Sequence, residues 1–390
     1  MPATVQNDTL IYKGSNFFRQ RLLLSTLSGR SVRIEEIRST HDDPGLREYE
    51  VSLIRLLDKV TNGTRVELSE TGTSVFYQPG ILIGGQVTHN CSTQRGIGYY
   101  LEVLLALGPF CKEPLNAVLQ GVTHHELDVS VDKVKAAALP ILLKFILVDD
   151  GLELKVVRRG APPLGGGEVV FRCPVRRGVR PLQWTSWGLV KRIRGVVYAL
   201  RVSPTMANRV VEAAKGVSIL LMAINCVIIF QVMLKFLPDV YINTDQCRGP
   251  NAGKSPGFGI SLVAETNEKT FYCAESVSVL KSINLRRTAW CYITTPGAIY
   301  NKHITSLRLK FKGPYNKDFF KLKILSQVGP LSDYTITFLQ HLKEFFGVMF
   351  KLEVLRADDD DDSDDETSTA QRVKMTCVGI GYVNISKRTL

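Results

Sequence analysis

Twelve residues, Arg158-Arg159-Gly160-Ala161-Pro162-Pro163-Leu164-Gly165-Gly166-Gly167-Glu168-Val169, restrict this chain more than any other stretch. An apolar, β-branched run from Leu152 to Val157 ends in two arginines, and Glu168-Val169-Val170-Phe171 starts another strand. Between them, Pro-Pro fixes φ and withholds N–H donors. Three glycines can then take positive φ and let other backbone come close. The segment reads as a β-connection. Arginine offers planar bidentate donors and glycine amides crowd in without a Cβ, so a phosphate contact suits it. A plain connection with solvated arginines suits the spacing as well.

The chain before it alternates helix and strand signals. Asn16 to Leu27 has helical apolar spacing and stops at Ser28-Gly29, a C-cap pattern. Val32 to Ile37 alternates as a strand, and Pro44-Gly45 breaks the chain before an amphipathic helix, Glu48 to Val60. Arg65 to Leu68 and Ser74 to Tyr77 read as strands. That β-α-β-α-β-β order predicts an α/β fold of repeated units with helices covering one sheet face. A second unit begins near Gln78-Pro79-Gly80, with helices over Tyr99–Leu107 and Lys133–Phe145. Arg95-Gly96-Ile97-Gly98 opens the first of these, and a helix N-terminus is a usable anion site; close helix packing explains its glycines equally. His124, His125, Glu126 and Asp128 are metal-ligating types without a further ligand set. A strand-end histidine bonded to backbone is the simpler expectation for His124, and no metal or other cofactor is predicted.

Charge points to the partner. The 390 residues carry a formal +12, but Asp358 to Glu366 packs eight acids into nine positions. The remainder therefore sets 49 cations against 29 acids, a body of +20 that calls for a polyanion such as RNA. No basic amphipathic helix stands out for a membrane surface. Eight scattered cysteines include no C-x-x-C pair, which predicts reduced thiols used in packing. Gly253-Lys254-Ser255-Pro256 carries Gly-Lys-Ser but not the glycine spacing of a nucleotide loop, and Pro256 blocks a following helix. A turn between strands is predicted there, with an RNA contact as the alternative.

Arg-Arg-Gly-x-x-Pro-x-Gly-Gly-Gly-Glu-Val resembles the signature of RNA 3′-terminal phosphate cyclases, in particular the cyclase-like branch of eukaryotic nucleolar ribosome-assembly proteins. The resemblance runs from about Tyr12 to Ser276 and resumes at Gly329. It implies repeated βαβαββ units of cyclase and EPSP-synthase-like type in a large domain (1–183), with a smaller inserted α/β domain (184–276). The large domain would return at 329–390, carrying a disordered acidic loop at 357–370. Two stretches depart from the family. The apolar run 218–233 is read as an anomalous insertion, and 277–328 as a mis-spliced segment in preference to a lysine-rich RNA surface.

The implied catalytic apparatus is altered. Where the family has Gly-Glu-Gly-Gly-Gly-Gln, this chain has Ile11-Tyr12-Lys13-Gly14-Ser15-Asn16, with Arg19 kept. Arg38 is kept too, but a second arginine falls on His41 and a Gln-His pair on Tyr49-Glu50. Gly121 to Asp132 resembles a Gly-Gly-Thr-His…Pro-Ser-Val-Asp turn, its proline lost at Val129. The nucleophilic histidine of Gly-x-His-x-x-Asp-Gln falls at Pro330-Leu331, and the glutamine at Tyr334. Neither proline nor leucine can form a covalent nucleotidyl intermediate. The resemblance thus implies a non-catalytic factor of the nucleus and nucleolus, acting in small-subunit rRNA processing as a monomer within a large assembly. Its implied partners are a processome GTPase and pre-rRNA or snoRNA-containing particles. Arg19, Arg38, His124, Arg158 and Arg159 are the expected anion- or RNA-binding residues, with none catalytic. The alternatives are a pre-rRNA endonuclease, using His124, Asp128 and Arg158 if they converge, or a residual cyclase.

Overall fold

The computed structural model describes residues 9–146, 150–176, 178–179, 189–225, 239–278, 326–328, 332–355, 372–377 and 384. They form a mixed α/β structure in which several sheets combine parallel and antiparallel strands.

The first sheet contains β1 (Leu10–Lys13), β2 (Val32–Glu35), β4 (Arg65–Leu68) and β5 (Val75–Gln78), in the order β1-β2-β5-β4. Its helices are α1 (Phe18–Ser28) and α2 (Glu48–Val60), and β3 (Thr61–Asn62) pairs with β6 (Ile81–Leu82) beside it. The second sheet contains β7 (Gly84–Asn90), β8 (Glu113–Gly121), β9 (Glu153–Arg158) and β10 (Gly167–Cys173), in the order β7-β8-β10-β9. In each, the first two strands run parallel and the remaining pairs antiparallel. Helix α3 (Ile97–Leu107) joins the parallel strands of the second sheet, and α4 (Val131–Lys133) continues through a π-helical turn, Val134–Ala138, into α5 (Leu139–Ile146). The third sheet, ordered β12-β11-β13-β14, comprises β11 (Val190–Leu200), β12 (Asp239–Cys247), β13 (Gly257–Thr266) and β14 (Phe271–Ser278), with α6 (Pro204–Asn225) between β11 and β12. A last sheet joins β15 (Ser326–Val328), β16 (Phe350–Leu355) and β17 (Arg372–Cys377), preceded by α7 (Asp333–Phe346) between β15 and β16.

One apolar core unites the first two sheets with α1, α3 and α7, through Leu22, Leu24, Leu53, Leu101, Phe171 and Phe338 among others. Helix α3 is apolar nearly all round because it is buried all round. The third sheet has its own smaller core, in which Val197, Ala207, Ile242 and Phe258 meet under α6.

Helix α2 matches its predicted limits. Apolar spacing places the last helix over Phe338–Phe346, but α7 starts five residues earlier, because Ser332 caps it: its Oγ accepts the Thr335 N–H at 3.3 Å. The polar first turn hid that start from a reading based on apolar period. The sequence places a helix over Pro204–Lys215, and α6 continues past it to Asn225, into the first part of the run 218–233; positions 226–233 lie outside the described residues. The segment 277–328 lies outside them too, except Val277 and Ser278, which complete β14 against β13, and Ser326–Val328, which pair with β17. Positions 357–370 also fall outside. Among the described residues no helix is long and apolar enough to cross a membrane.

Candidate functional site

The Arg158–Val169 stretch is the predicted β-connection, but its bare backbone faces protein. Gly165 and Gly166 take φ of 64° and 84°. The Gly165 carbonyl accepts the Lys254 N–H at 3.0 Å, Ser255 Oγ accepts the Leu164 N–H at 3.1 Å, and the Asn251 carbonyl accepts the Arg159 N–H at 3.3 Å. A Cβ at Gly160 would lie 2.3 Å from the Gly167 nitrogen, and one at Gly253 2.6 Å from the Arg159 carbonyl oxygen. The glycines let this connection seat the turn before β13. Gly253–Pro256 is the predicted turn.

Behind that seam is a buried ionic cluster. Asp132, at the start of α4, accepts Arg159 Nη1 at 2.7 Å and Nη2 at 3.0 Å, and its Oδ2 lies 2.7 Å from His124 Nε2. Arg159 Nε also donates to Asp245 of β12 at 2.6 Å. Tyr198 of β11 closes the cluster, its ring 4.2 Å from the His124 ring and 5.5 Å from the Arg159 guanidinium carbon. Burial works against the Asp132 carboxylate, but His124 and Arg159 outweigh it and hold the carboxyl well below the usual range. His124 therefore faces side chains, its Nε2 paired against Asp132 and its Nδ1 3.1 Å from Thr123 Oγ1, and not the backbone as its strand-end position suggested.

Arg38 and Arg19 belong elsewhere. Arg38, at a left-handed φ of 49°, donates to both oxygens of Glu50 at 2.7 and 2.8 Å, to Tyr49 Oη at 3.2 Å and to the Gly45 carbonyl at 3.0 Å. Glu50 also accepts the Arg47 N–H at the start of α2, at 2.8 Å. The Tyr49-Glu50 pair, which departs from the cyclase pattern, thus supplies the anion for an arginine the pattern retains. Arg19 pairs with buried Glu102 and donates to the Tyr99 carbonyl at 3.3 Å. Arg158, 40% exposed, pairs with Glu168 at 2.6 Å. His124 and Arg159 are thus brought together on Asp132, Arg19 and Arg38 share no bonded partner with them, and Arg158 stands apart.

The predicted anion site at the start of α3 is taken by Asp128. Its carboxylate accepts the Gly96 N–H at 2.7 Å and Arg95 Nε and Nη2 at 2.9 and 2.6 Å. This exploits the positive helix end without an external ligand. His124, Asp128 and Arg158 each have a different carboxylate or cation as partner, so no hydrogen bond or ion pair joins the three proposed nuclease residues. The sequence carries no signal for Arg95 and Glu102 as structural partners, and only the position of Glu50 in the first turn of α2 points to its role.

A second arrangement lies between α1 and α7. Phe17, at φ 58°, stacks on Tyr334 at 4.3 Å, and the His341 ring meets both Phe17 and Tyr12 edge-on at 5.0 Å. Tyr12 Oη donates to Glu344 at 2.6 Å, and Gln20 Nε2 to Tyr334 Oη at 2.6 Å. Tyr12 and Tyr334, two of the positions that depart from the cyclase pattern, are therefore tied into one aromatic cluster. Burial and the Glu344 carboxylate push the Tyr12 phenol well above its ordinary range.

His341 is 5% exposed, and burial, with Arg21 nearby, lowers its pKa to about 4; burial, Lys59 and Arg55 do the same to His89, which bonds Ser52 at 2.9 Å. Both folded values lie below the unfolded value of about 6.5, so the unfolded chain binds more protons. Their contribution is complete above pH 6.5 and is lost as pH falls from there through 4. Each is expected to cost on the order of 1–2 kcal/mol by pH 4, allowing for partial solvent screening. Urea unfolding at pH 7.5 and 4.5 checks this, and His341→Phe should shrink the difference.

The cyclase-type signature and the mixed sheets define a class. The chain belongs to the RNA 3′-terminal phosphate cyclase family, whose sequence pattern matches residues 10–352. It is 50% identical to a probable RNA 3′-terminal phosphate cyclase-like protein of Drosophila melanogaster over the full length of both chains. It is 49% identical to the RNA 3′-terminal phosphate cyclase-like protein of Homo sapiens, over 98% of each chain. It is also 36% identical to the rRNA processing protein rcl1 of Schizosaccharomyces pombe, over 97% of each.

Proposed function

We propose that this chain is a non-catalytic factor of small-subunit ribosome biogenesis, acting in the nucleolus on the 18S rRNA precursor. It would serve as a scaffold for a processome GTPase and for pre-rRNA within a snoRNA-containing particle. In this reading the first, second and last sheets are successive cyclase-type units, and the β11–β14 sheet with α6 is an inserted domain. The rRNA processing name of the Schizosaccharomyces pombe relative supports the process. The basic body supports an RNA partner.

The observation that carries the non-catalytic part is the aromatic cluster. Two positions where a cyclase has glutamate and glutamine carry Tyr12 and Tyr334, and both rings pack into the α1–α7 contact. The position of the attacking imidazole is Pro330-Leu331. Imidazole is required because nucleotidyl transfer proceeds through a covalent bond to it.

The test is incubation of the full chain with α-labelled ATP and an RNA ending in a 3′-phosphate. No label should remain on the denatured polypeptide, and the RNA end should stay uncyclised. Covalent AMP would defeat the scaffold assignment. So would cleavage of a pre-rRNA fragment that a point substitution abolishes.

A further inference from the structure

The seam between the Arg158–Val169 connection and the turn before β13 carries cations that its carboxylates leave over. Arg159 sequesters Asp132 and Asp245 behind the seam, and Arg158 holds Glu168. Around the turn itself lie Arg201, Arg248 and Lys254, all exposed, and none forms an ion pair among the described residues. Asp245, three residues before Arg248 and 44% exposed, already binds Arg159 Nε at 2.6 Å.

These three cations sit on backbone that is held in place. Arg201 Nε donates to the Gly253 carbonyl at 3.1 Å, which fixes one side of its guanidinium while the side chain stays exposed. Lys254 follows that glycine, and its N–H is bonded to Gly165 at 3.0 Å. Arg248 leads into the 3-10 turn Gly249–Ala252, anchored through Asn251 to Arg159. Arg201 also takes a left-handed φ of 52°, a costly conformation for an arginine that persists only where the surroundings impose it. An arginine constrained in this way, beside two further unpaired cations, presents donors at low ordering cost.

We propose that Arg201, Arg248 and Lys254 form a phosphate-backbone clamp for single-stranded RNA. The proposal rests on the RNA-scaffold assignment above and gives it a contact surface. Contacts of this kind position RNA without reading its sequence. Their signature is electrostatic, since each neutralised phosphate of a single strand adds about 0.7 to the log–log dependence of affinity on salt.

The experiment measures fluorescence anisotropy of a labelled 20-nucleotide oligouridylate with the full chain, from 50 to 200 mM salt. The clamp variant carries Arg201→Gln, Arg248→Gln and Lys254→Gln. A control variant of equal charge change carries Arg55→Gln, Lys112→Gln and Lys343→Gln. The clamp variant should bind more weakly, with a salt slope shallower by about 2, while the control keeps the wild-type slope. Equal slopes for clamp and control would overturn the clamp and leave the scaffold assignment standing. Failure of the wild-type chain to bind the oligonucleotide would instead remove the RNA contact on which that assignment depends. A glutamate decamer that displaces the RNA at equal charge concentration would mark the seam as an acidic-peptide site, and the phosphate assignment would fall. Should Arg201→Gln impair folding, Arg248→Gln with Lys254→Gln alone must lower the slope by about 1.4.

Discussion

Replacing Asp132 with alanine is expected to remove about 3–5 kcal/mol of stability, because it strands a buried guanidinium and a buried imidazole together. Arg159 would lose the two bonds at 2.7 and 3.0 Å and keep only the one to Asp245, a half-exposed carboxylate. His124 would keep Thr123 and its contact with the Tyr198 ring, but lose the carboxylate 2.7 Å from its Nε2. The cluster ties α4 to β11 and β12, so the loss should appear as loosening of the third sheet against the second. Urea unfolding of the wild type and Asp132→Ala at pH 7 measures it. Adding Arg159→Leu should restore part of the loss, since an apolar pair replaces a charge without a counter-ion. Additive effects of the two substitutions would show that the pair is uncoupled.

The pH dependence separates this cluster from the buried histidines. The Asp132 carboxyl is depressed in the folded chain, so its contribution is present above the unfolded carboxyl pKa and is lost only as pH falls below it. His89 and His341 act earlier, between pH 6.5 and 4. Acid unfolding of Asp132→Ala should therefore keep the histidine phase and lose steepness at lower pH.

Legibility followed the range of the interactions. Helix α2 could be bounded from Pro44-Gly45 and Thr61-Asn62-Gly63, because caps and apolar period lie within the segment itself. The Arg158–Val169 stretch could be read as a β-connection for the same reason. What Arg159 binds could not be read, since its bonds to Asp132 and Asp245 span 27 and 86 positions, whereas the Arg158–Glu168 pair closes within the stretch itself. Arginine beside glycine is equally compatible with a phosphate and with a carboxylate brought in by the fold. The fold brings in carboxylates: Glu50 to Arg38, Glu102 to Arg19, Asp128 to Arg95 and Asp132 to Arg159.

The Arg95-Gly96-Ile97-Gly98 motif could be assigned either to anion binding or to close packing, and the second glycine has a measurable answer. A Cβ at Gly98 would lie 1.8 Å from the Val129 carbonyl oxygen and 2.9 Å from the Val129 carbonyl carbon. No rotamer relieves such a contact, because the obstacle is backbone, so α3 would have to move away from the Asp128–Ser130 turn. That movement would pull the Gly96 N–H from Asp128 and disturb the Arg95 pair. Gly98→Ala is therefore expected to cost about 3 kcal/mol or more, at the upper end of overpacking penalties. Gly29→Ala makes the comparison: its φ of 75° carries a conformational cost, yet nothing lies within 4 Å of the added Cβ. It should lose only about 1 kcal/mol. Thermal or urea unfolding of the two variants side by side decides between them. A Gly98→Ala protein as stable as Gly29→Ala would mean that α3 does not pack on the Val129 backbone.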